Sequence, residues 1–268
     1  MKASSLPNLA LLCGFILLAS THAEADSCTL VADLGSGHVL KREGDCERRN
    51  SPASTFKIAL SLMGYDSGVL QDETHPAWPY RPEYRAWNQA WKTTTTPHSW
   101  LRDSVVWYSQ VLTRTLGAER FKRYVDAFAY GNRDVRGDRG KNNGLTHAWL
   151  SSSLTISPLE QIAFLRRIFK RELPVSRRAH DMTQSIMPVF PLPDGWTAYG
   201  KTGAGYRSLP DGRIDRDRQF GWFVGWAKKG ERIVLFARLI RDEVKDTSVA
   251  SFRARDSLLS DLPPLLVK

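Results

Sequence analysis

Ser54-Thr55-Phe56-Lys57 is the single Ser-x-x-Lys run in the chain, and it brings a nucleophile and a base within reach of each other. Residues three apart on a helix share a face, so the Lys57 amine can take the proton of the Ser54 hydroxyl. Near the start of that helix, free backbone N–H groups favour the negative charge that develops when a hydroxyl attacks a carbonyl. The chemistry implied is acyl transfer through serine. Alone the spacing is weak evidence, since chance supplies such a pair in many chains of ordinary composition.

A second element, Lys201-Thr202-Gly203, ends a predicted strand. Lysine offers a cation near the nucleophile, threonine a hydroxyl for a carboxylate, and glycine a close approach to the strand backbone. As a lone tripeptide it also reads as an ordinary strand exit. Between the two elements lie Ser104-Val105-Val106 and Tyr130-Gly131-Asn132. Glu160 is a rival base, but it completes the capping box Ser157-Pro158-Leu159-Glu160, which favours a structural role. His22, His38, His75, His98, His147 and His180 show no close ligand pair, so no metal site is expected. Trp91, Trp100 and Trp107 could line a pocket, although core packing is the commoner fate of such side chains.

These groups must be positioned by strands at both ends of the chain and helices between them. Thr29 to Ala32 and His38 to Leu40 flank Gly35-Ser36-Gly37, the pattern of a hairpin. Pro52 suits the first turn of a helix that carries Phe56, Ala59, Leu60 and Met63 at helical spacing. Further helices are predicted over Trp100 to Leu116, with Ser104-Val105-Val106 on it, over Glu119 to Phe128, and from Ser157 towards Arg171. Strands follow at Thr197 to Thr202, Gln219 to Ala227 and Arg232 to Ile240, then a helix from Val249 to Leu262 that ends before Pro263-Pro264. The aromatics of Phe220 to Trp226 are expected in the core on one face of their strand. A hairpin alone cannot bury a face, so the first and last strands must meet in one antiparallel sheet. The predicted class is α/β of the α+β kind, with a largely helical part over about 51–194 inserted into an α/β part over about 26–50 and 195–268. A cleft between the two parts is the natural place for a site.

Composition narrows the setting. With 268 residues, 42% hydrophobic and 25% charged, the chain can bury a core and is neither disordered nor fibrous. Its 38 Lys and Arg against 28 Asp and Glu leave a net charge of +10. The basic residues are spread from Arg42 to Lys245 with acids among them, so a solvated basic surface is favoured and no nucleic-acid partner is expected. Lys2, the apolar run Leu9 to Ala19 and the small residues Ala23 and Ala25 form a secretory signal over 1–25, too short to span a bilayer permanently. Mature protein then starts near Asp26, as one catalytic domain over 26–268 with no membrane segment. Cys13 leaves with the signal, and Cys28 and Cys46 remain in a compartment that permits oxidation. A disulfide across the base of the hairpin is predicted, against the alternative of two free thiols; a loop of this size contributes ~3 kcal/mol in the chain-entropy account.

Taken in order, Ser54-x-x-Lys57, Ser104-Val105-Val106, Tyr130-Gly131-Asn132, Trp149-Leu150 and Lys201-Thr202-Gly203, followed by Phe220-Gly221-Trp222-Phe223-Val224-Gly225-Trp226, resemble the class D serine β-lactamases, the oxacillinase group. The resemblance covers essentially the mature chain and implies the fold of β-lactamases and penicillin-binding transpeptidases. It implies an exported, periplasmic hydrolase that opens the β-lactam ring of penicillins and confers antibiotic resistance. Ser54 would be acylated, and Lys57 would carry a carbamate formed from carbon dioxide or bicarbonate (N6-carboxylysine) and act as general base, with no metal. Ser104 would pass a proton to the leaving nitrogen beside Lys201. Lys201, Thr202, Gly203 and Arg253 would surround the substrate carboxylate, with Arg255 competing for the place of Arg253. The N–H groups of Ser54 and Ala204 would form the oxyanion hole, Val106 and Trp149 the surroundings of the carbamate, and Tyr130 and Asn132 an architectural motif. A β-lactam sensor or a slow transpeptidase or carboxypeptidase is the alternative, separated by its failure to turn over.

Overall fold

The computed structural model describes residues 27–209, 211 and 213–267; the secretory signal expected over 1–25 lies outside them. One antiparallel sheet of six strands, in the order β2-β1-β6-β5-β4-β3, forms the spine. Its strands are β1 (Cys28–Asp33), β2 (Val39–Gly44), β3 (Val189–Pro191), β4 (Thr197–Ser208), β5 (Ile214–Lys229) and β6 (Arg232–Arg241). The first strand does meet the last, with β1 paired to β6 from Cys28↔Leu239 to Asp33↔Val234. Both edges are blunted against further pairing: β2 carries Lys41, Arg42 and Glu43, and β3 is three residues long and ends in Pro191. Because β3 joins the sheet through Val189↔Tyr199, the C-terminal share of the sheet begins before position 195, where the sequence pattern turns strand-like again.

Strand β5 is buried on both faces, not one. Phe220, Trp222, Val224 and Trp226 enter the main core, while Phe223 and Ala227 enter a second core with Val31, Val234 and Phe236. Helix α8 (Ala250–Asp261) covers that second face through Ala254 and Leu258. It stops where expected, and Pro263 opens the short α9 (Pro263–Leu266), where a missing N–H costs nothing.

The helical part is built around α1 (Lys57–Asp66), whose residues from Lys57 to Tyr65 are all buried. A helix apolar on every side belongs inside a domain, and here α3 (Val106–Leu116) and α7 (Arg177–Ser185) pack on it. Between α1 and α3 comes α2 (Pro97–Arg102), and beyond α3 lie α4 (Ala118–Ala127), α5 (Gly144–His147) and α6 (Pro158–Phe169). The long helix predicted over Trp100 to Leu116 is therefore two. α2 ends at Arg102, Ser104 adopts φ +60°, and α3 starts at Val106 after an extended Val105. The break costs of order 1–3 kcal/mol at a serine and moves Ser104 off any helix face into a turn of its own. The capping box at Ser157 is present as read, with the Glu160 carboxylate accepting the Ser157 N–H at 2.8 Å and an ion pair with Arg49 besides.

Cys28 and Cys46 are joined in a disulfide at the base of the β1–β2 hairpin. Unreduced mature protein, denatured and treated with a thiol reagent, should take up no label at these positions. Reduction should lower stability by about 3 kcal/mol in a denaturant titration.

Candidate active site

Ser54, the expected nucleophile, sits in a tight turn rather than on a regular α-helix. Pro52 precedes a 3₁₀ turn, Ala53–Phe56, in which the Thr55 N–H donates to the Pro52 carbonyl at 3.1 Å and Ala53 takes φ +47°. Helix α1 continues directly from it, so Ser54 lies ahead of the regular turns and Lys57 at their start. Lys57 Nζ lies 3.0 Å from Ser54 Oγ, and the lysine is wholly buried. Desolvation, reinforced by the charge of Lys201, holds its amine well below the ordinary lysine range. Phe56, Val105, Val106 and Trp149 are all in the main core, with the Phe56 and Trp149 rings 5.5 Å apart. The indole N–H of Trp149 is buried and has no hydrogen-bond partner among the described residues.

Strand β4 supplies the facing wall. Lys201, also buried, donates to Ser104 Oγ and to the Thr202 carbonyl, both at 3.0 Å. Burial pulls its amine down to about 7, against a pull upward from Asp103. Gly203 presses against the nucleophile turn: a Cβ there would stand 2.9 Å from the Pro52 carbonyl oxygen and 3.1 Å from the Ser54 nitrogen. Ser54, Ser104, Thr202, Gly203 and Ala204 border one cleft of about 230 Å³. Three segments distant in sequence are thus brought to one place, and they offer a hydroxyl, a buried amine of lowered proton affinity beside it, a second hydroxyl on a second amine, and the strand backbone at Ala204.

Residues that sequence reasoning did not single out complete the walls. Trp87, Asn88, Asp103, Ser251 and Phe252 border the cleft, together with Trp91, which had been weighed as core or pocket. Trp91 is tied in by its indole N–H to the Asp103 carbonyl at 3.0 Å. Trp87 and Phe252 are large apolar side chains about half exposed, and that exposure has no mark in composition or spacing.

Arg253 stands apart from this set. Its guanidinium pairs with Asp242 at 2.6 Å and Asp246 at 3.4 Å and does not border the cleft, whereas Ser251 and Phe252 on the same turn of α8 do. Arg255 pairs with Asp256 and lies over the Phe252 ring at 4.8 Å. Acidic neighbours thus pair with both heads, while the buried Arg253 Nε has no partner among the described residues.

Tyr130 and Asn132 act on the frame. The Tyr130 ring packs edge-on to Phe56 at 5.1 Å and Phe164 at 5.0 Å. The Asn132 side chain donates to the Ser153 carbonyl at 2.8 Å and accepts the Thr155 N–H at 3.0 Å. The adjoining Ile156 then bridges Asn50, four residues before the nucleophile, through bonds of 2.8 and 2.9 Å.

The penicillin-binding-protein transpeptidase domain matches residues 27–260. Beta-lactamase OXA-9 of Klebsiella pneumoniae is 46% identical over 255 residues, 93% of this chain and 91% of its own. Beta-lactamase OXA-1 of Escherichia coli is 36% identical, over 90% of this chain and 85% of its own. Among solved structures, the class D β-lactamase OXA-427 superposes with a TM-score of 0.84 at 50% identity, covering 90% of this chain and 98% of that one. The chain belongs to the class D β-lactamases. As an enzyme of this family it is a hydrolase, and its sheet and inserted helices have the β-lactamase and transpeptidase fold.

In this β-lactamase the Gly203 contact makes a sharp prediction. Gly203→Ala must push the strand or the nucleophile turn by several tenths of an ångström, and misplacing a reacting group by about 1 Å can cost ~10²-fold. Stopped-flow acylation should slow by at least tenfold, with the thermal midpoint shifted by only a few degrees.

Proposed function

We propose that the chain is an exported, periplasmic enzyme that hydrolyses the ring amide of penicillins and related β-lactams through an acyl-enzyme on Ser54, with a carboxylated Lys57 as general base, and so protects its host against these antibiotics. The observation that carries the reading is the 3.0 Å contact between Ser54 and a wholly buried Lys57. Export is supported by the charged, apolar and small-residue order of positions 2–25 and by the Cys28–Cys46 disulfide.

Two features of the chain fit a carbamate on Lys57. Burial holds its amine well below the ordinary lysine range and so favours the neutral form, the one that adds to carbon dioxide with loss of one proton. The buried Trp149 N–H is a donor in need of an acceptor. Such a group supplies an oxygen base able to take a proton from the Ser54 hydroxyl and later from water.

The chain's own residues do the rest. Ser54 Oγ attacks the ring carbonyl, forming the ester as the C–N bond breaks. The N–H groups of Ser54 and Ala204 receive the charge on the carbonyl oxygen. Ser104 hands its proton to the departing nitrogen and regains one through Lys201, 3.0 Å away. Thr202 and the Lys201 cation orient the substrate carboxylate, and Arg253 would join them only by leaving Asp242. Water then attacks the ester and frees Ser54. The dry wall at Phe56, Val105, Val106 and Trp149 keeps bulk solvent from the base.

Steady turnover of the chromogenic cephalosporin nitrocefin well beyond one equivalent is expected, and a single burst would indicate a sensor or a slow transpeptidase instead. Ser54→Ala should show no penicilloyl adduct by mass spectrometry; an adduct on that variant would remove Ser54 from its role.

The lowered proton affinity of Lys201 sets a pH dependence. Its amine is cationic below about 7 and neutral above, so the attraction for an anionic substrate weakens as pH rises. KM for a penicillin should climb with an apparent pKa at or above about 7, since the bound carboxylate itself favours the ammonium. A KM flat to pH 9 would show that the carboxylate is held by other groups.

On the acid side the carbamate is lost as protonation favours release of carbon dioxide. Stripping carbon dioxide at pH 5 should give biphasic turnover with accumulated acyl-enzyme, and added bicarbonate should restore a linear course. Trp149→Ala should produce the same behaviour at neutral pH, with deacylation ~10²- to 10⁴-fold slower. Fully active wild-type enzyme lacking a ¹³C carbamate signal after labelling with ¹³C-bicarbonate would refute the base while leaving Ser54 in place.

A further inference from the structure

Ser51 lies just before the nucleophile turn, is nearly fully buried, and takes part in no step described above. Its hydroxyl donates to the Trp149 carbonyl at 2.8 Å and accepts the Ser151 N–H at 3.0 Å. The single side chain therefore grips the backbone on both sides of residue 150. Its own carbonyl accepts the Trp222 indole N–H at 2.8 Å. Trp222 stands directly across the β4–β5 ladder from Gly203, the residue that presses on the Ser54 turn.

The segment held in this way is irregular. Trp149 lies between α5 and α6, outside any regular element, and Ser151 adopts φ +54°, an unfavourable conformation for a serine. The Leu150 N–H donates to the His147 carbonyl at 2.8 Å and the Leu154 N–H to the Ala148 carbonyl at 2.9 Å, and on the side away from Ser51 the segment is also tied to the far end of β4. There Ser151 Oγ accepts the Tyr206 N–H at 3.3 Å, and the Ser151 carbonyl accepts from Ser208 Oγ at 2.7 Å. Phe56 and Phe121 pack on the indole, at 5.5 and 6.2 Å between centroids, but ring contacts of this kind allow sliding. Directional constraint on where the indole N–H points comes from the backbone, and Ser51 is the side chain that holds that backbone from the direction of the Ser54 turn.

We infer that Ser51 is a positioning residue that holds the Trp149 indole in register with the Ser54–Lys57 turn, and so sets how firmly Lys57 retains its carboxyl group. The inference rests on the reading of Lys57 as a carboxylated base served by the Trp149 N–H. It joins the nucleophile and the group that guards its base in one rigid unit: Ser51 is three residues from Ser54, so a movement of the turn carries Trp149 with it. Removing the hydroxyl leaves a buried carbonyl and a buried N–H unpaired. The segment then relaxes, and water gains access to Lys57.

The test is Ser51→Ala in the full mature enzyme, read in two ways: the ¹³C carbamate signal titrated with ¹³C-bicarbonate, and nitrocefin progress curves at fixed bicarbonate. The bicarbonate concentration for half-maximal signal should rise about tenfold, the loss expected from one to two buried hydrogen bonds. Turnover in ambient carbon dioxide should become biphasic and turn linear at saturating bicarbonate, while the rate of the first acylation at saturating bicarbonate changes less than about threefold. Ser51→Thr, which keeps the hydroxyl, should recover most of the wild-type titration. A Ser51→Ala enzyme with the wild-type bicarbonate titration, whatever its thermal midpoint, would overturn the inference and leave the carbamate reading intact. Absence of the carbamate signal in wild-type enzyme would overturn both together. If Ser51→Ala does not fold, Trp222→Phe removes the other hold on Ser51 and should raise the half-maximal bicarbonate about threefold; an unchanged value there would count against the inference equally.

Discussion

Two lysine amines are buried in one small compartment, and most of the molecule exists to make that tolerable and useful. An ammonium group loses several kcal/mol of solvation on entering an apolar interior, and a second one nearby adds repulsion. Both amines yield by giving up proton affinity, each as far as its surroundings demand. Lys57, with desolvation and the charge of Lys201 both acting against its ammonium, yields most, as the base proposed above would require. Lys201, within the field of Asp103 and bonded to Ser104 and Thr202, yields less and stays poised between cation and neutral amine. From one residue type, differences in neighbours make two chemical tools.

This constraint explains the architecture around the site. A helix carrying a buried amine in its first turn must be sealed on all sides, which is why α1 has no polar face. A hydroxyl must reach Lys201 from the helical part without a helix dipole or a side-chain stem in the way. The chain therefore stops one helix, turns through a strained Ser104 and starts another. The nucleophile turn is held from below by β4 through Gly203 and from the side by Gln161, whose amide donates to Thr55 Oγ1 at 3.0 Å. Strain at Ser104 borders the cleft and strain at Ala53 lies next to Ser54, where a packed frame can enforce it.

The broad plan was legible in the sequence because each part of it rests on a local rule. Alternation over Phe220 to Trp226 marked β5, short apolar runs marked β1 and β6, the Ser157 box marked α6, and Gly35-Ser36-Gly37 marked the hairpin. The pairing of the first strand with the last followed from the need to bury a face. What escaped was set by tertiary contact. Apolar spacing runs unbroken through Ser104, so nothing local announces that the helix must part there. β5 reads as half-buried because its glycines leave the second face unmarked, yet α8 covers it: a Cβ on Gly221 would collide with the backbone of Ala250 and Ser251. β3 is too short to show a period. The motif residues Ser54, Lys57, Ser104 and Lys201 were named correctly as neighbours, whereas the position of the Arg253 head depended on Asp242 and Asp246, whose approach no pattern in the sequence records.

The pairing of β1 with β6 also has a consequence in time. A chain made from its N-terminus and threaded through a membrane delivers β1 first and β6 nearly last, some two hundred residues later. Until β6 arrives, β1 and β2 form only a hairpin with one bare edge and one unpacked face, and a two-stranded ribbon is marginal in water. The wall against which the nucleophile turn is set, β4, also belongs to the late part of the chain. No early portion can therefore close the sheet, bury the two amines or assemble a reactive serine. Such dependence on contacts between the ends delays folding, and for the export proposed above that delay would keep the chain fit for transport until nearly all of it has passed.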